Sequence, residues 1–294
     1  MTQHLITKLK EEIAKGQVVV VVGAGVSMSA SRDPNRKPNI ASWTGLLLSG
    51  VDACLQVRRD LDEQWAQRVR AEIQSNDIDD LLSAAEKIQT KLGGPAGGDF
   101  VAWLHDTVGS LQVTHPEVPE ALSELGLPLL TTNYDGVLEQ ATGLQRLTWK
   151  EGPFVEQVLR GERKAVVHLH GHFMQPDTVI LGIRSYEELL RAPHAQALQR
   201  ALMTLKTLLF VGFGAGFQDP NFDAWLKWRR QALGSSMYPA YRLACGPAQV
   251  KEFEAQHQPE DRVRILSYSD RSHFDDLAPF LRSLLPEGKP RGKA

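Results

Sequence analysis

Four apolar runs in this chain end on residues that can do chemistry. Val18–Val22 leads into Gly23-Ala24-Gly25-Val26-Ser27, and 127–132 into Asn133-Tyr134-Asp135. Residues 164–169 lead into His170-Gly171, and Thr207–Val211 into Gly212-Phe213-Gly214. A histidine, with an ordinary pKa of about 6.5, can withdraw a proton from a hydroxyl at neutral pH. An asparagine amide can hold a water or a hydroxyl without adding charge. Bare glycines let a phosphate lie against backbone N–H groups where a strand turns into a helix. Together the four endings describe a nucleotide site with a polar reactive centre. Singly, each has a plainer reading. Gly23-x-Gly25 serves equally well as an ordinary tight turn, Asn133 or Asp135 can cap the next helix, and a histidine in a core strand is usually hydrogen-bonded packing. His168 precedes His170 by two residues, so the pair shares one strand face, but a metal held there lacks a third ligand in the sequence.

The runs also say what positions these residues. Five consecutive valines have no polar face, which suits a parallel sheet covered by helices on both sides. Residues 4–15 carry Leu5, Ile6, Leu9 and Ile13 at helical spacing. Residues 29–42 are polar and punctuated by proline, and predict a loop beside the glycine turn that acts as a lid. From Trp43 to about residue 125 the composition is helical, broken at Gly93-Gly94-Pro95 and Gly97-Gly98. Further strands are predicted at 144–149, 241–245 and 262–266, with local pairing over 178–181. Helices are predicted at 186–205, 247–256 and 274–285, and another capped by Asp219 and holding Phe222, Trp225, Leu226 and Trp228. This alternation predicts an α/β fold with a doubly wound, Rossmann-like, mostly parallel sheet. A single domain spans 1–294, with a helical insertion roughly 43–125 after the first strand. Ligands of such sheets lie beyond the carboxyl ends of the strands, so all four endings open on one edge.

Composition narrows the function classes. Thirty-three basic against thirty-five acidic side chains leave a net charge of −2. No global field therefore draws the chain to nucleic acid or membrane. The basic stretch from Lys289 to Lys293 reads as a solvated tail. No apolar run reaches membrane-spanning length and the first residues lack a signal-peptide core, so a cytoplasmic protein is expected. Cys54 and Cys245 are the only cysteines, too few for a disulfide framework or a four-thiolate zinc site. The usual dinucleotide fingerprint would place a third glycine where Met28 stands, and no Gly-Lys-Ser/Thr follows.

Gly23-Ala24-Gly25-Val26-Ser27, Thr132-Asn133-Tyr134-Asp135, His168-Leu169-His170-Gly171 and Gly212-Phe213-Gly214 resemble the sirtuin signature in order and rough spacing, over about residues 8 to 245. Ala41-Ser42-Trp43 through Leu47, and Asp219-Pro220-Asn221-Phe222, look more like the prokaryotic sirtuin-like branch, known from bacterial anti-phage defence systems where it hydrolyses NAD. The resemblance implies NAD as substrate. Gly23, Ala24, Gly25 and Ser27 would hold its pyrophosphate, and Asn133 and Asp135 would contact the nicotinamide-side ribose and carboxamide. His170 would act on a ribose hydroxyl, with Gly171, Gly212 and Gly214 completing the binding set. The implied activity is an NAD glycohydrolase releasing nicotinamide and ADP-ribose. A protein deacylase, an ADP-ribosyltransferase or a non-catalytic NAD sensor are the alternatives.

Three departures from that pattern bear on the acceptor. Protein-deacylating sirtuins carry a four-cysteine zinc module, and here no zinc is expected. Nothing in 28–42 matches their Gly-Ile-Pro-Asp-Phe-Arg-like segment, and Gly214 replaces a late hydroxyl residue. These favour water over a peptide. Because one domain fills the chain, the expected partners are NAD, further copies of itself, and a separate sensor subunit of the HerA-type ATPase or short-argonaute kind.

Overall fold

The computed structural model describes residues 2–32, 39–214, 219–234, 238–271 and 274–285. The centre of the expected 29–42 lid and the basic tail lie outside the described residues. The chain enters through α1 (Thr2–Ala14), forms β1 (Val18–Val22), and turns at once into α2 (Ala24–Ala30). Four helices follow: α3 (Trp43–Val57), α4 (Glu63–Ser75), α5 (Ile78–Lys91) and α6 (Gly98–Asp106). Then come α7 (Glu117–Glu124), β2 (Leu129–Thr131), α8 (Val137–Thr142), β3 (Gln145–Thr148), α9 (Gly152–Leu159) and β4 (Ala165–His168). The remainder runs α10 (Ile183–Arg191), α11 (Pro193–Leu205), β5 (Thr207–Val211), α12 (Pro220–Leu233), β6 (Ala240–Ala244), α13 (Gly246–Ala255), β7 (Val263–Ser267) and α14 (Leu277–Ser283).

The seven strands form one sheet in the order β3-β4-β2-β1-β5-β6-β7, and every pairing is parallel. The valine run lies at its centre, paired from Val18–Thr207 to Val22–Val211 on one side and from Val20–Leu129 to Val22–Thr131 on the other. Alternation sends Val18, Val20 and Val22 into one core with Leu9, Leu122 and Leu281, and Val19 and Val21 into the opposite one with Val167, Phe210 and Trp225. Each fully buried valine contributes about 1.5 kcal/mol or more, so neither face tolerates a polar substitution.

The insertion divides in two. Helices α3 to α6 surround their own apolar core, which Tyr134, Val179 and Leu181 join to the sheet. By contrast, α7 puts Val118, Ala121 and Leu122 into the core under β1 and so belongs to the sheet. Three local expectations are corrected. Residues 29 and 30 complete α2 before any loop begins. Residues 178–181 form no strand; a 3-10 turn over Pro176–Thr178 precedes an extended segment held by Ile180 N–H to His170 O at 2.9 Å. The single helix expected over 186–205 breaks at Ala192, because Pro193 carries no N–H and forces the preceding residue to ψ 104°. Among the described residues no helix is long and apolar enough to cross a membrane.

Candidate functional site

The chain runs from β1 to β2, on to the edge strand β3 and back to β4 between them, then crosses to β5 on the other side of β1. A crevice between neighbouring loops opens at such a reversal, beyond the carboxyl ends of the strands. Gly23, Asn133, His170 and Gly212 all follow strands on that edge. The two glycine turns meet each other there. The Gly23 N–H is donated to Val211 O and the Gly25 N–H to Gly212 O, both at 2.9 Å. A Cβ on Gly25 would lie 2.9 Å from Gly212 O, and Gly212 itself has φ +71°. Glycine is required at these positions by the close approach of two backbones. With the Gly23 and Gly25 amides committed, the half-buried residue Ala24 lies between them.

Asn133 is fixed from both sides. The Thr131 hydroxyl, donating to Val22 O, accepts the Asn133 N–H at 3.1 Å. The Asn133 side-chain Nδ2 donates to Gly23 O at 3.2 Å and to the buried Ser27 Oγ at 2.8 Å. Because Gly23 O only accepts, the amide orientation is settled. Both donors are used, which leaves the amide oxygen to receive a hydroxyl or a water. Ser27 passes its own hydrogen bond to Asp135, whose Oδ1 also accepts the Val137 N–H at 3.0 Å at the start of α8. Burial raises the Asp135 carboxyl above the ordinary range, against those two hydrogen bonds. Asp135 thus precedes Gly136, the N-cap of α8, and ties the first amide of the helix to the turn.

The two strand histidines do not work as a pair, because β4 ends at His168 and the backbone turns away before His170. His168 donates from Nδ1 to Asn133 O at 2.8 Å and from Nε2 to Glu139 Oε1 at 2.7 Å. Burial alone would lower its pKa, but the Glu139 carboxylate overrides it and raises the group above the ordinary histidine value. His172 packs against this pair, its ring centroid 4.7 Å from that of His168. Glu139, His168 and His172 are the one His/Asp/Glu trio among the described residues compact enough to surround an ion. His172 Nδ1, however, accepts the Met174 N–H at 3.2 Å, so its Nε2 carries the proton and offers no lone pair. Within the trio only His168 and Glu139 are hydrogen-bonded to each other, and His172 joins them by ring contact.

His170 is 3 % exposed and stands among aromatic rings, Tyr186 edge-on at 5.6 Å and Phe222 at 6.4 Å. Its Nδ1 lies 3.7 Å from Asp219 Oδ2. Its Nε2 is buried with no hydrogen-bond partner among the described residues. Burial lowers its pKa below the ordinary value, with Asp219 opposing. At neutral pH this is an uncharged imidazole with a proton acceptor to spare. Phe213 and Phe222, 5.3 Å apart, connect it to the glycine turns, since the Phe213 ring would lie 2.9 Å from a Cβ on Gly23.

Gly171 makes the turn that frees His170 from the strand. Its φ is +82°, and a Cβ there would fall 2.1 Å from Thr178 O. Gly171→Ala is expected to lose about 1–3 kcal/mol from the left-handed backbone alone, with the steric overlap added. A thermal melt beside that of wild type measures it, and an unchanged midpoint would mean the 171–178 turn is free to rearrange. Gly214 is exposed, and its carbonyl accepts from the buried Arg242. Arg242 also donates to Phe213 O at 3.2 Å, so a guanidinium arriving from β6 sets the shape of the last glycine turn. Sequence reading missed Arg242, Glu139, Asp219 as a partner of His170, and Tyr186. A buried-strand arginine inside 240–244 was the one visible signal.

An open cleft of about 510 Å³ elsewhere, lined by Trp149, Lys150, Arg184 and Glu188 among others, contains none of these residues. Its Lys150 and Glu188 lie 3.7 Å from each other. The site therefore rests on the strand ends. Residues 128–265, a little under half of the chain, match the family model described as SIR2-like domain. The matched segment begins at β2 and contains Asn133, His168, His170, Gly171 and Asp219. That match, falling on the strand-end residues just described, supports a sirtuin-like family for this chain and is consistent with an enzyme that uses NAD.

Proposed function

We propose that the chain is an NAD glycohydrolase that cleaves the nicotinamide–ribose bond and hands the ribose to water, releasing nicotinamide and ADP-ribose. The observation that carries the reading is the pair of open acceptors on adjacent strand ends, the Asn133 amide oxygen and the His170 Nε2. Breaking a glycosidic bond develops oxocarbenium character at the ribose carbon. Nicotinamide leaves as a neutral base because it departs from a cationic ring, and the bonding electrons neutralise its nitrogen. No acid is required at the leaving group. What the protein must supply is orientation, a group that withdraws a ribose hydroxyl proton, and a placed water. His170 Nε2 is suited to the proton, and Asn133 Oδ1 to the water or hydroxyl. The glycine turns would lie along the pyrophosphate, with Ala24 at the point of closest approach.

An NAD-depleting role in anti-phage defence is the finer part of this proposal and rests on the resemblance of the motifs. A cell expressing such an enzyme must hold it off, so activity is proposed to depend on assembly with further copies or a sensor partner. Purified protein incubated with NAD over a range of protein concentrations tests the whole reading. Nicotinamide and ADP-ribose in equal amounts are expected. Nicotinamide with ADP-ribose attached to protein would replace hydrolysis by transfer, and NAD binding without turnover would make the chain a sensor.

A further inference from the structure

We infer that Asp219 and Tyr186 are positioning residues for His170, forming an aspartate–histidine arrangement in which Asp219 holds the imidazole proton on Nδ1 and so keeps Nε2 open. The inference rests on the proposed role of His170 as the proton acceptor. Asp219 divides its two oxygens between two duties. Oδ1 caps α12 by accepting the Asn221 and Phe222 N–H groups at 2.9 and 3.4 Å. Oδ2 accepts the Tyr186 hydroxyl at 2.5 Å and lies 3.7 Å from His170 Nδ1. The cap fixes the carboxylate on a helix end, and the Tyr186 hydrogen bond selects which way its second oxygen faces.

The charge arrangement follows from chemistry. A carboxylate only accepts, so the neutral tautomer with the proton on Nδ1 is the one that faces it favourably. The opposite nitrogen, Nε2, then carries the lone pair, and it is the buried atom with no partner among the described residues. Separations of this kind are often long before substrate closes the site, and 3.7 Å is within reach of tightening. Tyr134 is a further ionisable group near Asp219, and its hydroxyl is donated to Ile180 O at 2.7 Å. The Tyr186 ring edge-on to His170 limits rotation of the imidazole away from Asp219.

Asp219→Asn separates the two duties. Asparagine caps a helix as well as aspartate does, so α12 and the melting temperature are expected to be unchanged. With its oxygen kept by the cap, the new amide nitrogen faces His170 and donates. The imidazole then turns to the tautomer with the proton on Nε2, and the acceptor is lost. The same exchange in serine-protease triads leaves the wrong tautomer and costs about 10⁴-fold. The longer separation here makes a fall of about 10²-fold in kcat the expected result, with KM nearly unmoved. Tyr186→Phe should give a smaller fall of the same kind. Nitrogen-15 spectra of histidine-labelled protein, with His170 assigned by its absence in His170→Ala, should show the proton on Nδ1 in wild type and on Nε2 in Asp219→Asn. Unchanged spectra and unchanged kcat in an active enzyme would overturn the inference and leave the NAD reading standing. The expected tautomer change in a protein that never turns over NAD would support the positioning and sink the catalytic reading instead.

Discussion

His170→Ala is expected to lower nicotinamide release by about 10²–10⁴-fold, the usual contribution of a positioned general base, while leaving the fold intact. The imidazole lies beyond the end of β4, and no hydrogen bond within 3.5 Å ties its ring to the sheet, so its removal leaves no orphaned partner inside the core. What is lost is aromatic contact with Tyr186 and Phe222, a small cavity against a large catalytic effect. Asn133→Ala should be similarly inactive and less stable. Its amide ties Gly23 O to Ser27 Oγ, and cutting both bonds leaves the buried Ser27 hydroxyl with one partner fewer. The pair of variants therefore splits two kinds of loss: one removes chemistry alone, the other chemistry together with an anchor of the glycine turn. Full nicotinamide release by His170→Ala would show that the proton is withdrawn by another group.

The scaffold was legible because its signals are local. Five valines followed by glycine specify a buried parallel strand and a tight turn from adjacent residues, and the other strands were found within a residue or two. Pro193 was equally local, yet the helical composition on either side of it hid the break. The site was legible only by residue type. Asn133, His170 and the glycines were visible because each closes an apolar run, but their partners arrive from elsewhere in the chain. Glu139 comes from α8 to His168, Asp219 from the cap of α12 to His170, and Arg242 from β6 to the last glycine turn. Nothing in the spacing of those residues ties them to their targets. The His168–His170 pair shows the same limit. Alternation predicts a shared face only while the strand lasts, and here it ends at the first of the two. Asp135 had two readings that no local pattern could separate, and its contacts with Val137 and Ser27 were equally hidden from the sequence.

Glu139→Ala is expected to be the most damaging of these changes to stability, and its effect should depend on pH. The His168 side chain is 1 % exposed and Glu139 is its carboxylate partner at 2.7 Å. Removing one member of a buried ion pair leaves an uncompensated charge and costs about 3–5 kcal/mol. If the imidazole loses its proton instead, the orphaned Nε2 still costs about 1–3 kcal/mol. The sign with pH follows from the raised pKa of His168. A histidine whose folded pKa lies above its unfolded one binds its proton more tightly when folded. The pair's contribution is fully present below the ordinary histidine value and fades as pH rises through the folded value. Denaturant melts at about pH 6 should therefore separate wild type from Glu139→Ala more widely than melts at about pH 8, the lower pH being below the ordinary value of about 6.5. Glu139→Gln supplies the control. Its amide can donate to Nε2 of a neutral His168, keeping a hydrogen bond without the charge, so it should hold most of the stability at the higher pH and show little pH dependence. Because His168 also donates to Asn133 O, Glu139→Ala should loosen the Asn133 turn and lower nicotinamide release along with the melting temperature. A loss of stability in Glu139→Ala that is the same at both pH values would mean that His168 is neutral in the folded protein and that the ion pair does not form.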